Sequence, residues 1–130
     1  MDITGFDHIA INVKDIEESK RFYRDILGFL ELNTVVTETF TSTFMGLPGG
    51  GRLELVDLLG RVKDNPEFDD NIGLRHLAFS ATNIAANEKL LVAAGIEIKI
   101  SCTELTEFNS QIMQFLDPNG VLLALTANLG

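Results

Sequence analysis

The chain carries two histidines, and they stand in matching contexts: Asp7-His8-Ile9-Ala10 and Arg75-His76-Leu77-Ala78. Neutral imidazole is a good ligand for zinc, nickel, cobalt, manganese or iron. A carboxylate beside two imidazoles completes a three-point site that leaves positions open for water or substrate. Glu54, in Arg52-Leu53-Glu54-Leu55-Val56, sits in an alternating segment and so projects from one side of a sheet, opposite Leu53 and Leu55. A carboxylate on a partly buried face is costly unless it is paired or binds a cation. His8, Glu54 and His76 are therefore the candidate ligands of one divalent metal ion. Glu54 is also the candidate catalytic base, although a ligating carboxylate must loosen before it takes a proton.

Other chemistries are poorly provided for. Cys102 is the one cysteine, so no intramolecular disulfide forms, and with no base near it in sequence it reads as small apolar filler. Leu47-Pro48-Gly49-Gly50-Gly51 is followed by neither Gly-Lys-Ser nor Gly-Lys-Thr, and no helix opens after it. It reads as a hairpin turn rather than a phosphate cradle.

The elements that must position these residues follow from periodicity. Gly5 to Val13 alternates as a strand, with Phe6, His8, Ala10 and Asn12 on one face. Asp15 caps a helix, with Glu18 three places on. Ile16, Ser19, Phe22, Tyr23, Ile26 and Leu27 form its inner stripe, and Gly28 ends it. Strands follow over 29–37, 41–45 and 52–58. A polar stretch then intervenes, and the pattern restarts. Residues 74–81 form a strand, and Asn83 caps a helix with the stripe Ile84, Leu90, Leu91 and Ala94, closed by Gly95. Strands follow over 96–101, 111–116 and 121–126, with Asp117-Pro118-Asn119-Gly120 as the turn between the last two.

The halves superimpose at an offset of 68, which takes His8 to His76, Asp15 to Asn83, Ile16 to Ile84 and Phe22 to Leu90. Gly28 meets Gly95 after one deletion, and Glu54 meets Ala124 after two insertions. The chain is thus expected to be one α+β domain over 1–130. It comprises two tandem βαβββ modules, about 1–60 and 72–130, joined by a linker over 61–71, with a curved mixed sheet around a central cup. Each first strand must bury one face on its own helix, so both histidines and Glu54 are expected to face that cup. Strand alternation adds Phe6, Asn12, Phe44, Arg52, Gln114 and Phe115 as candidate substrate-pocket residues.

Composition narrows the partners. A net charge of −9 argues against nucleic acid, whose binding rests on clustered Lys and Arg, and is compatible with a cationic small molecule. No apolar run is long enough to span a membrane, and Met1 to Gly5 lacks the basic start of a signal peptide, so a cytoplasmic home is expected.

Several segments together resemble the vicinal oxygen chelate superfamily: Asp7-His8-Ile9-Ala10, the helix end Phe22 to Phe29, Arg52 to Val56, Arg75 to Phe79, and Phe115 to Gly120. That group includes glyoxalase I, bleomycin-resistance proteins, fosfomycin-resistance enzymes, extradiol dioxygenases and methylmalonyl-CoA epimerase. The resemblance implies paired βαβββ modules around a metal, with four ligand positions that fall here on His8, Glu54, His76 and Ala124. The last cannot ligate, and in glyoxalase-like and epimerase-like members a carboxylate there takes part in proton transfer. By the same analogy a homodimer is expected.

Three functions follow from this reading. The leading one is a glyoxalase-like metal-dependent lyase or isomerase acting on a small hydroxy-carbonyl substrate. The alternative is a non-catalytic small-molecule or antibiotic-binding protein of the bleomycin-resistance type, favoured by Ala124 and the acidic charge. The third, an iron-dependent dioxygenase, would need its carboxylate from the other module.

Overall fold

The computed structural model describes residues 1–64 and 70–130, which fall into two units, Met1–Asp64 and Asn65–Gly130. The boundary lies within the expected linker 61–71, of which 65–69 lie outside the described residues.

In the first unit, strand β1 (Ile9–Val13) begins directly after His8. Asp15 then caps helix α1 (Ile16–Lys20), its carboxylate accepting the backbone N–H groups of Glu17 and Glu18. The helix runs without a break into a π-helical turn, Arg21–Ile26, in which Leu27 N–H reaches back to Phe22 O. Strands β2 (Leu30–Val36), β3 (Thr41–Gly46) and β4 (Arg52–Asp57) complete the unit. The sheet order is β1-β4-β3-β2, with β1 parallel to β4 and the other pairs antiparallel.

The second unit repeats the plan. Strand β5 (Leu77–Ser80) starts directly after His76, and Asn83 accepts Ala86 N–H to cap α2 (Ile84–Ala93). Strands β6 (Ile98–Leu105), β7 (Ser110–Leu116) and β8 (Leu122–Asn128) follow. The order is β5-β8-β7-β6, again with one parallel pair, β5 with β8. The βαβββ repeat is therefore realised, as two four-stranded mixed sheets rather than one continuous sheet.

Each helix covers one face of its own sheet. In the first unit that face carries Leu53, Leu55, Met45, Thr43 and Val13, all 2% exposed or less, against Phe22 and Tyr23. In the second it carries Met113, Phe115 and Leu123, all fully buried, against Ile84 and Leu91. Each such aliphatic or aromatic side chain stabilises by roughly 1.5–3 kcal/mol through removal from water.

The helices differ in one respect that explains the single deletion in the repeat. In α2 the closing bond runs from Ile96 N–H to Leu91 O around Gly95, whose φ is +78°. In the first unit the corresponding bond runs one residue further, from Phe29 N–H to Tyr23 O around Gly28 at φ +80°. The extra residue is taken up as the π-turn, so the capping geometry is preserved at both ends. The wider turn also changes the angular position of its own last residue, Ile26, which is 39% exposed instead of in the inner stripe.

The second stripe needs correction too. Leu90 is 68% exposed, because six residues at about 100° each carry it well away from Ile84. The inner face is Ile84, Asn87, Glu88 and Leu91, the i, i+3, i+4, i+7 set, and the Glu88 carboxylate accepts Cys102 N–H at 2.8 Å.

Candidate functional site

Register places the candidate residues. Across the parallel pair Ala10 faces Glu54, and across the hairpin Phe44 faces Glu54. Side chains alternate along a strand, so Ala10, Asn12, Arg52, Glu54, Phe44 and Ser42 share the face that α1 does not cover, and His8, one residue before β1, meets Glu54 and Phe44 there. On that face His8 Nε2 lies 3.3 Å from Glu54 Oε1. Their side chains are 33% and 20% exposed, respectively.

The outer atoms of both groups are already engaged. His8 Nδ1 lies 2.6 Å from Asp7 Oδ2, and the same Asp7 oxygen accepts a hydrogen bond from the Arg52 guanidinium at 2.8 Å. Hydrogen bonding from His8, first, and the charge of Arg52 hold the Asp7 carboxyl below its ordinary value, so it is ionised and can only accept. Arg52 lies over the Phe44 ring at 4.6 Å, and Phe44 meets the His8 ring edge-on at 5.3 Å. On the other side, Ser42 Oγ donates to Glu54 Oε2 at 2.5 Å, and Ser42 is 1% exposed. One imidazole nitrogen and one carboxylate oxygen are thus left converging on the same point.

The second unit repeats the positions without the chemistry. Ala78 faces Ala124 in register, as Ala10 faces Glu54, so Ala124 occupies Glu54's place, and it is 3% exposed. His76 Nδ1 is buried and has no hydrogen-bond partner. Gln114 faces Ala124 as Phe44 faces Glu54, and is half-buried.

Among the expected pocket residues, Asn12, Phe44 and Arg52 lie on the Glu54 face, and Gln114 lies on the equivalent face of its own sheet. Phe115 does not: alternation turns it away from Gln114, and it is fully buried under α2 in register with Leu123. Phe6 precedes β1 and is 96% exposed, so no strand holds it on the His8 face. Sequence reasoning missed Asp7 and Ser42. The signal for Asp7 was its place beside His8. That for Ser42 was a hydroxyl two residues before Phe44, diagonal to Glu54 once the hairpin register is known.

The donor set suits a divalent ion: an imidazole nitrogen and a carboxylate oxygen, each steadied by an outer partner. Within the first unit it amounts to a pair. Among the described residues no group of three or more His, Cys, Asp and Glu side chains is close enough together to hold a metal ion.

Comparison with known proteins identifies the class. Residues 5–125 match the model of the Glyoxalase/Bleomycin resistance protein/Dioxygenase superfamily, and the chain belongs to that family. It is 32% identical over 121 residues to the uncharacterized protein YaeR of Escherichia coli K12, covering 91% of this chain and 92% of that protein. It is 23% identical over 128 residues to Glyoxylase I 4 of Arabidopsis thaliana, covering 95% and 70%. A crystal structure of a glyoxylase/bleomycin resistance protein/dioxygenase domain from Frankia sp. EAN1pec superimposes with a TM-score of 0.84 at 27% identity, covering 98% and 99%. The tandem βαβββ fold implied by the sequence resemblance is the fold of this family.

Proposed function

We propose that the protein is a glyoxalase-like, metal-dependent lyase or isomerase acting on a small hydroxy-carbonyl compound, with His8, Glu54 and His76 as the protein ligands. The observation that carries this reading is the 3.3 Å approach of His8 Nε2 to Glu54 Oε1. Asp7 Oδ2 lies 2.6 Å from His8 Nδ1, which leaves Nε2 as the imidazole nitrogen directed at a carboxylate oxygen. Two lone pairs at that distance repel unless positive charge lies between them. A proton or a metal cation supplies it, and the family context favours the metal. His76 enters as third ligand by its equivalence to His8 in the repeat.

A bound divalent ion would act as a Lewis acid toward two neighbouring substrate oxygens. The chain's own residues do the rest. Arg52 and Asn12, on the same face, offer hydrogen bonds to a polar substrate, and the Phe44 ring offers an apolar wall. Glu54, with one oxygen held by Ser42, keeps the other for the metal or, when loosened, for a substrate proton. A homodimer belongs to the same reading.

The alternative is a binding protein without catalysis, and Ala124 favours it, since a buried methyl group replaces any second carboxylate. Turnover of hemithioacetals and epimerisation of acyl thioesters, followed by proton NMR in D2O, separates the two. The enzyme reading expects metal-dependent turnover or solvent deuterium uptake that a chelator removes and Glu54→Gln abolishes. No exchange or turnover with any of zinc, nickel, cobalt, manganese or iron leaves the binding reading.

A further inference from the structure

We infer that Asp7 and Ser42 are positioning residues that aim His8 and Glu54 at a common point, with Arg52 fixing Asp7; the inference deepens the metal-site reading and rests on it.

Each ligand has two competent atoms, and only one of each serves the site. For His8 the choice is a tautomer. Asp7 Oδ2, 2.6 Å from Nδ1, also accepts from the Arg52 guanidinium and so faces the ring as an acceptor; in the neutral ring this places the proton on Nδ1 and leaves Nε2 free to ligate. Without Asp7 the proton would sit on Nε2 and donate to Glu54 Oε1, tying the two ligands to each other. Arg52 adds direction. It bonds the same Asp7 oxygen that faces His8 and is itself braced on Phe44, which packs against the His8 ring. For Glu54 the choice is which oxygen faces out. Ser42, almost wholly buried, donates to Oε2 and leaves Oε1 toward His8.

The second unit supports the assignment independently. There the supporting groups are missing together with the carboxylate: register and offset put Arg75 at the place of Asp7, Ile112 at that of Ser42 and Leu122 at that of Arg52, beside Ala124. His76, without any equivalent of Asp7, has its Nδ1 buried and unpartnered. Arg75 cannot accept a hydrogen bond from an imidazole and Leu122 cannot brace a neighbouring carboxylate, so the supporting groups accompany the carboxylate and not the histidine alone.

The test uses the metal-free full chain, nitrogen-15 labelled, at a pH near 9 where free imidazole is neutral. Multiple-bond proton–nitrogen spectra read the His8 tautomer, and calorimetric titration with Co2+ reads affinity. Wild type should show the Nδ1–H form. Asp7→Ala, at an exposed position, should shift His8 toward Nε2–H, whereas Asp7→Asn, which keeps an acceptor oxygen, should not. Asp7→Ala and Ser42→Ala should each weaken Co2+ binding about 10–100-fold, and Ser42→Thr should restore most of the loss. Nε2–H in the wild type, or Co2+ affinity unchanged in both alanine variants of a wild type that binds, overturns the positioning roles and leaves the metal site standing. A wild type that binds no Co2+ while His8 still switches tautomer on Asp7→Ala removes the metal reading and upholds the assignment of Asp7.

Discussion

Replacing Glu54 tests the local geometry without any metal. Its side chain is four-fifths buried, accepts from the Ser42 hydroxyl and approaches His8. Glu54→Ala takes away the acceptor and leaves a hydroxyl on a 1%-exposed serine with no partner. The desolvation penalty of such an orphan is about 1–3 kcal/mol. Glu54→Gln behaves differently. Its carbonyl oxygen still accepts from Ser42, and its amide can donate to the free lone pair on His8 Nε2, so stability should stay within ~1 kcal/mol of wild type. The double variant Glu54→Ala, Ser42→Ala removes both partners and should regain most of what Glu54→Ala loses, giving a coupling of roughly 0.5–3 kcal/mol between the two positions. Urea denaturation of wild type, Glu54→Ala, Glu54→Gln, Ser42→Ala and the double variant in excess chelator gives all five values, the chelator removing any stabilisation by bound metal. Glu54→Gln as unstable as Glu54→Ala, or additive effects in the double variant, would show that the Ser42 hydroxyl does not depend on Glu54 as its acceptor.

Further outcomes follow from the second sheet, the helix ends and an exposed ion pair. Phe115→Ala should cost about 3–5 kcal/mol as a core truncation, whereas Gln114→Ala, its half-buried neighbour, should change stability by less than ~1 kcal/mol; denaturation midpoints compare them. Gly28→Ala and Gly95→Ala should each cost about 1–2 kcal/mol, since both glycines have φ near +80° with nothing within 4 Å of an added Cβ, so the cost is that of the backbone alone. Hydrogen bonds from Arg24, with the charges of Arg24 and Arg21, hold the Asp25 carboxyl below its ordinary value. A depressed folded value means that its contribution is present above the unfolded carboxylate range and is lost as pH falls through the folded value. Asp25→Asn should therefore flatten the decline in stability below pH ~4, as read from urea midpoints across the acid range.

Much of the fold was legible because the periodicities are strong. The strand around Glu54, the caps at Asp15 and Asn83, and the closing glycines at 28 and 95 each carry a local signal that the structure repeats. The π-turn was not legible. It is a one-residue excess in the first helix, visible in sequence only as a deletion in the repeat, and the backbone decides whether such a residue becomes a loop or a wider turn. Leu90 misled because apolarity outweighed angular position. Phe115 misled because a run of alternating residues does not by itself say which face is covered. The site was half legible. His8 and His76 stand out by type and symmetry and Glu54 by type, but Asp7 reads as a loop acid and Ser42 as small filler until the structure brings one to the imidazole and strand register brings the other to the carboxylate.

The most direct test of the central claim is the metal content of the untagged protein, purified with zinc, nickel, cobalt, manganese and iron all available and measured by mass spectrometry. The wild type should be compared with His8→Ala, Glu54→Gln and His76→Ala. Near one divalent ion per chain is expected in the wild type, with a large loss in each of the three variants. A wild type that stays empty after incubation with every one of these metals, or retention unaffected by all three substitutions, would contradict the claim.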